Sequence, residues 1–366
     1  MDILKHGISP FSTNLSRTAL KQMIHLVRDL QLLCEHPAYP STLNKLAPIA
    51  HFNQSHFSVL MGYDFHITED NQAKLIEVNT NAGGLWFTNQ SYCPNIHQFS
   101  TKLAKRLLAT FLNEYRLFKK NKSAVPRLVA IIDQDPQNQF LYPEMQLFMQ
   151  LFKQAGINCI IIDPSEIEAK ASQLYFKKQL IDLVYNRHCD FYFSSPEMSA
   201  IYNAWQNQTT CITPNPRIYG LLADKQRMAD WHQSDILENL LPAKIAYRLH
   251  KALPKTHLFS DLNHEDLWSQ RKKWVFKPLN SYASRGVYIG AKLTKNKFNS
   301  FNTQETLIQE LIKPSTTLSP DGEKFKTDFR LFTYRDQILA LSARIYQGQV
   351  TNLRTPNGGF SRVNLT

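Results

Sequence analysis

The stretch from Arg127 to Arg187 constrains the fold most. "RLVAIID" has the length and apolarity of a short strand, and "LYPEMQLFMQLFKQAG" has helical spacing that stops at Gly156. "INCIIID" is a second strand pattern and "QLIDLVYNR" (179–187) a third. Strands that alternate with helices argue for a parallel sheet, and hence for an α/β domain. The polar run "NKSAVP" before it reads as a linker, and the Pro-rich "TPNPRIYG" (213–220) as a boundary after it. These marks divide the chain into 1–122, 123–215 and 216–366.

The flanking segments carry different patterns. "NLSRTALKQMIHLVRDLQLLCEH" (14–36) repeats apolar residues every three to four positions, as does "STKLAKRLLATFLNEYRLFKK" (100–120), so both predict helices. Between them "FSVLMGYDFHITEDNQAKLIEVN" (57–79) predicts two strands around the polar turn "TEDNQ". Beyond the boundary, "ADKQRMADWHQSDILENLLP" is helical. Strand patterns then dominate: "KWVFKPL", "GVYIGAKL", "ETLIQELI" and a hairpin turning at Arg335–Gln337.

A chain of 366 residues, 43% hydrophobic and 20% charged, has material for more than one packed domain. Its net charge of +12 is spread thinly. The densest spots are "RKK" at 271–273 and "FKK" at 118–120, so a dedicated nucleic-acid surface is not expected. Five cysteines without a CxxC pair exclude a disulfide framework or a zinc finger as the organising principle. The N-terminal stretch has no basic start followed by an apolar core, and no apolar run approaches a membrane span; a cytoplasmic protein without membrane contact is expected.

The chemistry-bearing residues fall into two groups. In "KLIEVNTNAGG" (74–84), Glu77 and Asn79 lie two apart on a strand and project from one face. A carboxylate and an amide oxygen so placed suit a hard cation such as Mg²⁺. The second group lies two hundred residues on. "WVFKPLNSYASRGVYIG" (274–290) sets Lys277 on a strand entering a loop of small residues that could admit phosphate oxygens; an ordinary hairpin with one lysine is the plainer alternative. Neither GxxxxGK[ST] nor GxGxxG occurs. In "DFRLFTYRDQILALSARIYQGQ", Asp328 reads easily as a solvent-facing strand residue, whereas Arg330 and Arg344 interrupt core material and need partners.

Together "GYDFHI…LIEVN", "DKQRM", "WVFKP…RGVYIG", "IQELI" and "DFRLF…ARIYQGQVTNLRTPNGG" resemble the ATP-grasp superfamily of carboxylate–amine ligases. The order of "IEVNTNAGG", "LVYNRHCDFYF", "GLLADKQRM" and "VFKPLNSYASRG" is similar to that in eukaryotic-type glutathione synthetases. In the usual family layout the metal strand follows the arginine strand. Here it precedes it, and reading residue 366 onward into residue 1 restores the order, which implies a circularly permuted ATP-grasp fold. Segment 1–122 would then be the permuted end of the ATP-grasp domain, 123–215 a βαβ substrate domain, and 216–366 the nucleotide-binding lobes.

The resemblance implies ATP and Mg²⁺ as cofactors and amide or peptide bond formation through an acyl phosphate. Lys225 and Lys277 would hold ATP phosphates, the loop with Ser281, Ser284 and Gly286 would close over them, and the backbone at Gln309, Glu310, Leu311 and Ile312 would read adenine. Asp64, Glu77 and Asn79 would ligate Mg²⁺. Arg344 would stabilise the transferring phosphoryl group, and Arg330 and Arg187 would orient an acidic substrate. Asn352 and the Gly358–Gly359 turn would line the acyl-phosphate end. The loop departs from the family: Gly286 is its one glycine, and a position near Ser281 stands where eukaryotic-type enzymes carry a metal-binding glutamate. The partners implied are a small acid and an amine; a peptide in either role and a homodimer stay open. The other class of reading is a catalytically weak ATP-grasp protein, or a scaffold with a basic surface.

Overall fold

A computed structural model describes residues 7–43, 45–94, 98–279, 286–352 and 355–366. The expected βαβ unit forms. Its parallel sheet runs in the order Cys211–Thr213, Leu183–Asn186, Leu128–Ile132, Asn158–Ile162. Both faces are covered. Val129, Ile131, Leu183 and Tyr185 pack with Phe111 and Phe148 from the helices Thr101–Lys119 and Tyr142–Gln154. Ala130, Ile132 and Val184 pack with Ile201 and Trp205 on the opposite side. A strand with two buried faces can be apolar throughout, which is why these segments lack polar alternation.

Two details differ from the expectation. "QLIDLVYNR" is not one strand. Gln179–Leu180 pairs in a small antiparallel sheet with Gln173–Phe176, and only Leu183–Asn186 joins the parallel sheet. The Asp182 carboxylate between them accepts the backbone N–H groups of Arg127 (2.7 Å) and Leu128 (3.3 Å), so it anchors the neighbouring strand instead of continuing its own. Nor is "TPNPRIYG" an exposed boundary. Thr213 to Pro216 are buried, and the Asn215 side chain accepts from Ile218 N–H (3.0 Å) while donating to the Phe57 carbonyl.

The larger sheet is antiparallel and unites distant segments. Its main path runs Gly359–Ser361, Gln337–Tyr346, Lys324–Tyr334, Met61–Ile67, Ala73–Asn79, with Ser315–Leu318 pairing on Lys324–Tyr334. The early hairpin therefore shares a sheet with the late one. A second antiparallel sheet of four strands, Thr256–Leu258, Thr306–Glu310, Trp274–Pro278 and Tyr288–Ile289, forms a smaller lobe around Phe259, Phe276, Phe298 and Ile308. Near the chain ends, Thr13–Leu15 pairs parallel with Val363–Leu365. Gly359 closes this seam: its φ is +114°, and a Cβ there would come within 2.6 Å of the Gly7 backbone.

Candidate nucleotide and carboxylate site

Register builds the site. Asp64 stands opposite Glu77 on one side and Arg330 on the other, while Asp328 stands opposite Arg344. Cross-strand partners project from the same face of a sheet, so these five side chains converge over it. The smaller lobe lies against that face, and between them is a cavity of about 410 Å³. It is lined by Asp64, Glu77, Asn79, Lys225, Lys277, Gln309, Glu310, Leu311, Ile312, Arg330 and Arg344. Eleven of the positions singled out from the sequence thus share one cavity, although they span residues 64 to 344.

The arginines are held rather than loose. Arg330 donates from Nε to Asp64 Oδ1 (2.6 Å), from Nη2 to Asp64 Oδ2 (2.7 Å) and from Nη1 to the Gly83 carbonyl (3.2 Å). Arg344 donates from Nε to Asp328 Oδ1 (2.6 Å) and pairs through Nη2 with Asp64 Oδ2 (3.0 Å). Burial alone would raise the Asp64 carboxyl, but the Arg330 and Arg344 guanidinium groups hold it down to about 2. Asp328 is a correction: it is 2% exposed, and it also accepts Thr351 Oγ1 at 2.7 Å. Alternation gave no sign of this, because the strand Lys324–Tyr334 is covered on both faces from Thr327 onward.

Lys277 is buried, with Nζ 2.6 Å from Gln309 Oε1 and 3.4 Å from the Ile76 carbonyl. Burial lowers its ammonium to about 8, against the opposing pull of Glu77. Gln309 therefore contributes its side chain, as the group that fixes the lysine. The expected adenine backbone is narrowed as well: Glu310 N–H donates to the Lys255 carbonyl and Leu311 N–H to the Lys273 carbonyl, each at 2.8 Å. At Ile312 the carbonyl accepts His66 Nδ1 (2.7 Å), and nothing in the sequence pattern marks His66 as a cavity residue.

As a metal site the triad fits in part. Glu77 and Asn79 are half-buried cavity residues with oxygen donors suited to one hard cation. Asp64 does not fit that role here, since both its oxygens bind guanidinium and Asn79 Nδ2 also donates to it (3.3 Å). Among the described residues no three His, Cys, Asp or Glu side chains gather as a metal centre.

Other expected positions lie off the cavity. Arg187 is buried behind the 81–84 turn, 3.8 Å from Glu144, with Nη1 donating to Tyr185 (3.3 Å). A Cβ on Gly83 would sit 2.2 Å from Leu141 Cδ1 and 3.0 Å from Arg187 Nη2, so this glycine lets Leu141 and Arg187 close on the turn whose carbonyl Arg330 holds. Gly358 and Gly359 do not line the cavity. A Cβ on Gly358 would meet the Ile345 carbonyl at 2.6 Å, so their small size answers to strand packing. Asn352 follows the cavity residue Thr351, and its carbonyl accepts Thr355 Oγ1 (3.1 Å). Gly286, at φ +70°, precedes the cavity residues Val287 and Ile289. Ser281 and Ser284 lie outside the described residues.

No protein-family model matches the chain, and no curated protein matches it in sequence. Solved structures do. A glutathione synthetase-like effector from Globodera pallida in its apo form superposes with TM-score 0.63 at 12% identity, covering 98% of this chain and 90% of that one. A γ-glutamylcysteine synthetase (putative in its description) from Methylobacillus flagellatus superposes with TM-score 0.54 at 11% identity, covering 94% and 87%. The ATP-grasp ligase PsnB, solved with its minimal precursor, is more distant: TM-score 0.35 at 13% identity, covering 63% and 80%. The chain shares the fold of the first two, a mixed helix and sheet architecture with a parallel-sheet unit. No described helix is long and apolar enough to cross a membrane.

Proposed function

We propose that this chain is an ATP- and Mg²⁺-dependent carboxylate–amine ligase resembling glutathione synthetase. The observation that carries the reading is the single cavity joining Lys225 and Lys277 to Glu77, Asn79 and the Arg330–Arg344 pair. The reaction is phosphoryl transfer from ATP to a carboxylate, then attack of an amine on the acyl phosphate with release of phosphate. Lys277, fixed by Gln309, and Lys225 bind the phosphates as point charges. Glu77 and Asn79 would hold Mg²⁺, which offsets the charge that develops on phosphate oxygens.

Asp64 and Asp328 set the arginine fork. Arg344 is engaged through Nε and Nη2, so its Nη1 is the edge that reaches a phosphoryl oxygen. Preorganised donors of this kind lower the barrier because they need not reorient during the reaction. Arg330, bidentate on Asp64, holds that arrangement in place and fixes the 81–84 turn through Gly83. The acid end of the substrate lies toward this turn, with Arg187 behind it. Placement of the Met61–Asn79 segment in one sheet with Lys324–Tyr346, and the parallel pairing near the chain ends, support reading the chain as circularly permuted.

Thermal unfolding of wild type and Glu77→Gln, each with and without Mg-ATP, tests the reading. Binding at about 100 times Kd stabilises by about 2.7 kcal/mol, worth a few degrees in a chain of this size. The wild type should show the shift and Glu77→Gln a smaller one. Absence of a shift in both would leave the ligase reading without a nucleotide site.

A further inference from the structure

The smaller lobe has a face that the cavity does not use. From Leu267 to Gln304 the chain carries eight cations and no carboxylate. Lys277 faces the cavity and Arg285 lies outside the described residues. The other six, Arg271, Lys272, Lys273, Lys292, Lys295 and Lys297, gather at the lobe's outer edge. The segments Arg271–Lys273 and Gly290–Lys292 lie in contact, so close that a Cβ on Gly290 would come within 2.0 Å of the Arg271 carbonyl oxygen. The Arg271 guanidinium is 3.9 Å and the Lys295 ammonium 4.7 Å from the centre of one ring, that of Trp268. Lys297 lies 4.9 Å from the Tyr288 ring, beside the edge strand Tyr288–Ile289. Lys272, Lys273, Lys292 and Lys295 are exposed.

The stripe leads to the cavity. Lys326 lines the cavity, and its ammonium is lowered by burial and by the nearby charge of Lys292. Lys292 thus lies near enough to this cavity lysine for its charge to act on it.

We infer that this face docks an acidic polypeptide segment, whose carboxylates pair with the ammonium groups along Arg271–Lys273 and Lys292–Lys297. Three features select this partner among polyanions. The rings on the face, Trp268, Tyr288 and Phe301, carry cations against them, so they are not open platforms on which bases could stack. Among the described residues the exposed large apolar ones, Leu32, Tyr92, Val125, Phe140, Tyr247, Leu318 and Leu365, all lie elsewhere, which disfavours insertion of this face into a bilayer. Lysines outnumber arginines five to one in the stripe, which favours point-charge pairing with carboxylates over bidentate phosphate recognition.

The test needs no nucleotide, so it stands apart from the ligase reading. Fluorescence anisotropy with a labelled oligoglutamate measures affinity for wild type, for Lys292→Glu/Lys295→Glu/Lys297→Glu, and for a control with equal charge change, Lys170→Glu/Lys177→Glu/Lys178→Glu. Circular dichroism checks folding, and Lys292→Gln/Lys295→Gln serves if the triple reversal unfolds. The stripe reversal should weaken binding by at least about tenfold, with a steep salt dependence, while the control binds like wild type. Equal loss in both triple variants would overturn the inference. So would tighter binding of an oligothymidylate of matched charge, or preferential sedimentation with phosphatidylserine-containing vesicles.

Discussion

The sheet under the cavity and the helix behind the parallel sheet each bury a carboxylate, and the two are driven in opposite directions. Asp64 is 5% exposed and faces two guanidinium groups, which hold it down to about 2. Glu114, on the helix Thr101–Lys119, is 0% exposed and accepts only neutral donors: Tyr334 Oη (2.7 Å), Phe57 N–H (3.1 Å) and Thr213 Oγ1 (3.2 Å). Burial pushes it up to about 7 in spite of those bonds. Depth alone therefore does not decide the protonation of a buried acid; the charge of its partners does. The first arrangement keeps a charged lattice on the cavity wall. The second ties a helix to three segments with a group that prefers to be neutral.

Asp64→Asn breaks the comparison most forcefully. It leaves two buried guanidinium groups short of a counter-charge and should cost about 3 kcal/mol in urea unfolding at neutral pH. A sharper form sets it against Asp29→Asn. Asp29 also binds an arginine bidentately, at 2.6 Å from both Nε and Nη2 of Arg248, but that arginine side chain is 31% exposed. Solvent screening should keep the loss there below about 1 kcal/mol. Equal losses would mean that the cavity is wet enough to screen the Asp64 lattice. The pH dependence has a definite sign. The Asp64 contribution is present above the unfolded value near 3.8 and is lost as pH falls through about 2.

Glu114→Gln probes the other arm. The wild-type carboxyl keeps its proton in the folded state up to about 7, whereas the unfolded chain releases it near 4.5. Stability is therefore full below 4.5 and declines as pH rises to about 7, by up to about 3 kcal/mol. Glutamine reproduces the neutral acid, so the variant should lack this decline and be more stable than wild type at pH 7. Denaturant midpoints across that range decide it. A wild-type curve that rises through the same window would mean that Glu114 is ionised in the fold.

Much of this was legible in the sequence, for physical reasons that differ from place to place. The helix Arg17–Glu35 and the hairpin Met61–Asn79 follow from periodicity, because each has one face against the core and one toward solvent or the cavity. Gathering Glu77, Lys277 and Arg344 was legible only through resemblance, since no local rule pairs Met61–Ile67 with Lys324–Tyr334. Asp328 was misplaced because a charge in a doubly covered strand looks the same in sequence as one facing water. The strand Cys211–Thr213 was hidden by its three-residue length beside two prolines. The Gln309 side chain's role is not legible in sequence, because the lysine it holds lies on a neighbouring strand, at no fixed sequence spacing.

A smaller effect than those of Asp64 and Glu114 separates stability from ligand binding within the cavity itself. Lys277 is buried and lowered to about 8 from an ordinary value of 10.5, so the folded state sheds its proton before the unfolded chain does. Its charged form is thus a cost to the fold at neutral pH, and wild-type stability should rise as pH climbs from about 8 to 10.5. Lys277→Met removes that charge at similar length. Gln309 Oε1 and the Ile76 carbonyl lose a donor, which tempers the gain, and a net stabilisation of about 1 kcal/mol at pH 7 is expected. The rise between pH 8 and 10.5 should vanish with it. The same variant should lose the Mg-ATP shift. A variant both less stable than wild type and still responsive to nucleotide would make Lys277 a structural post for Gln309, and would move phosphate binding to Lys225.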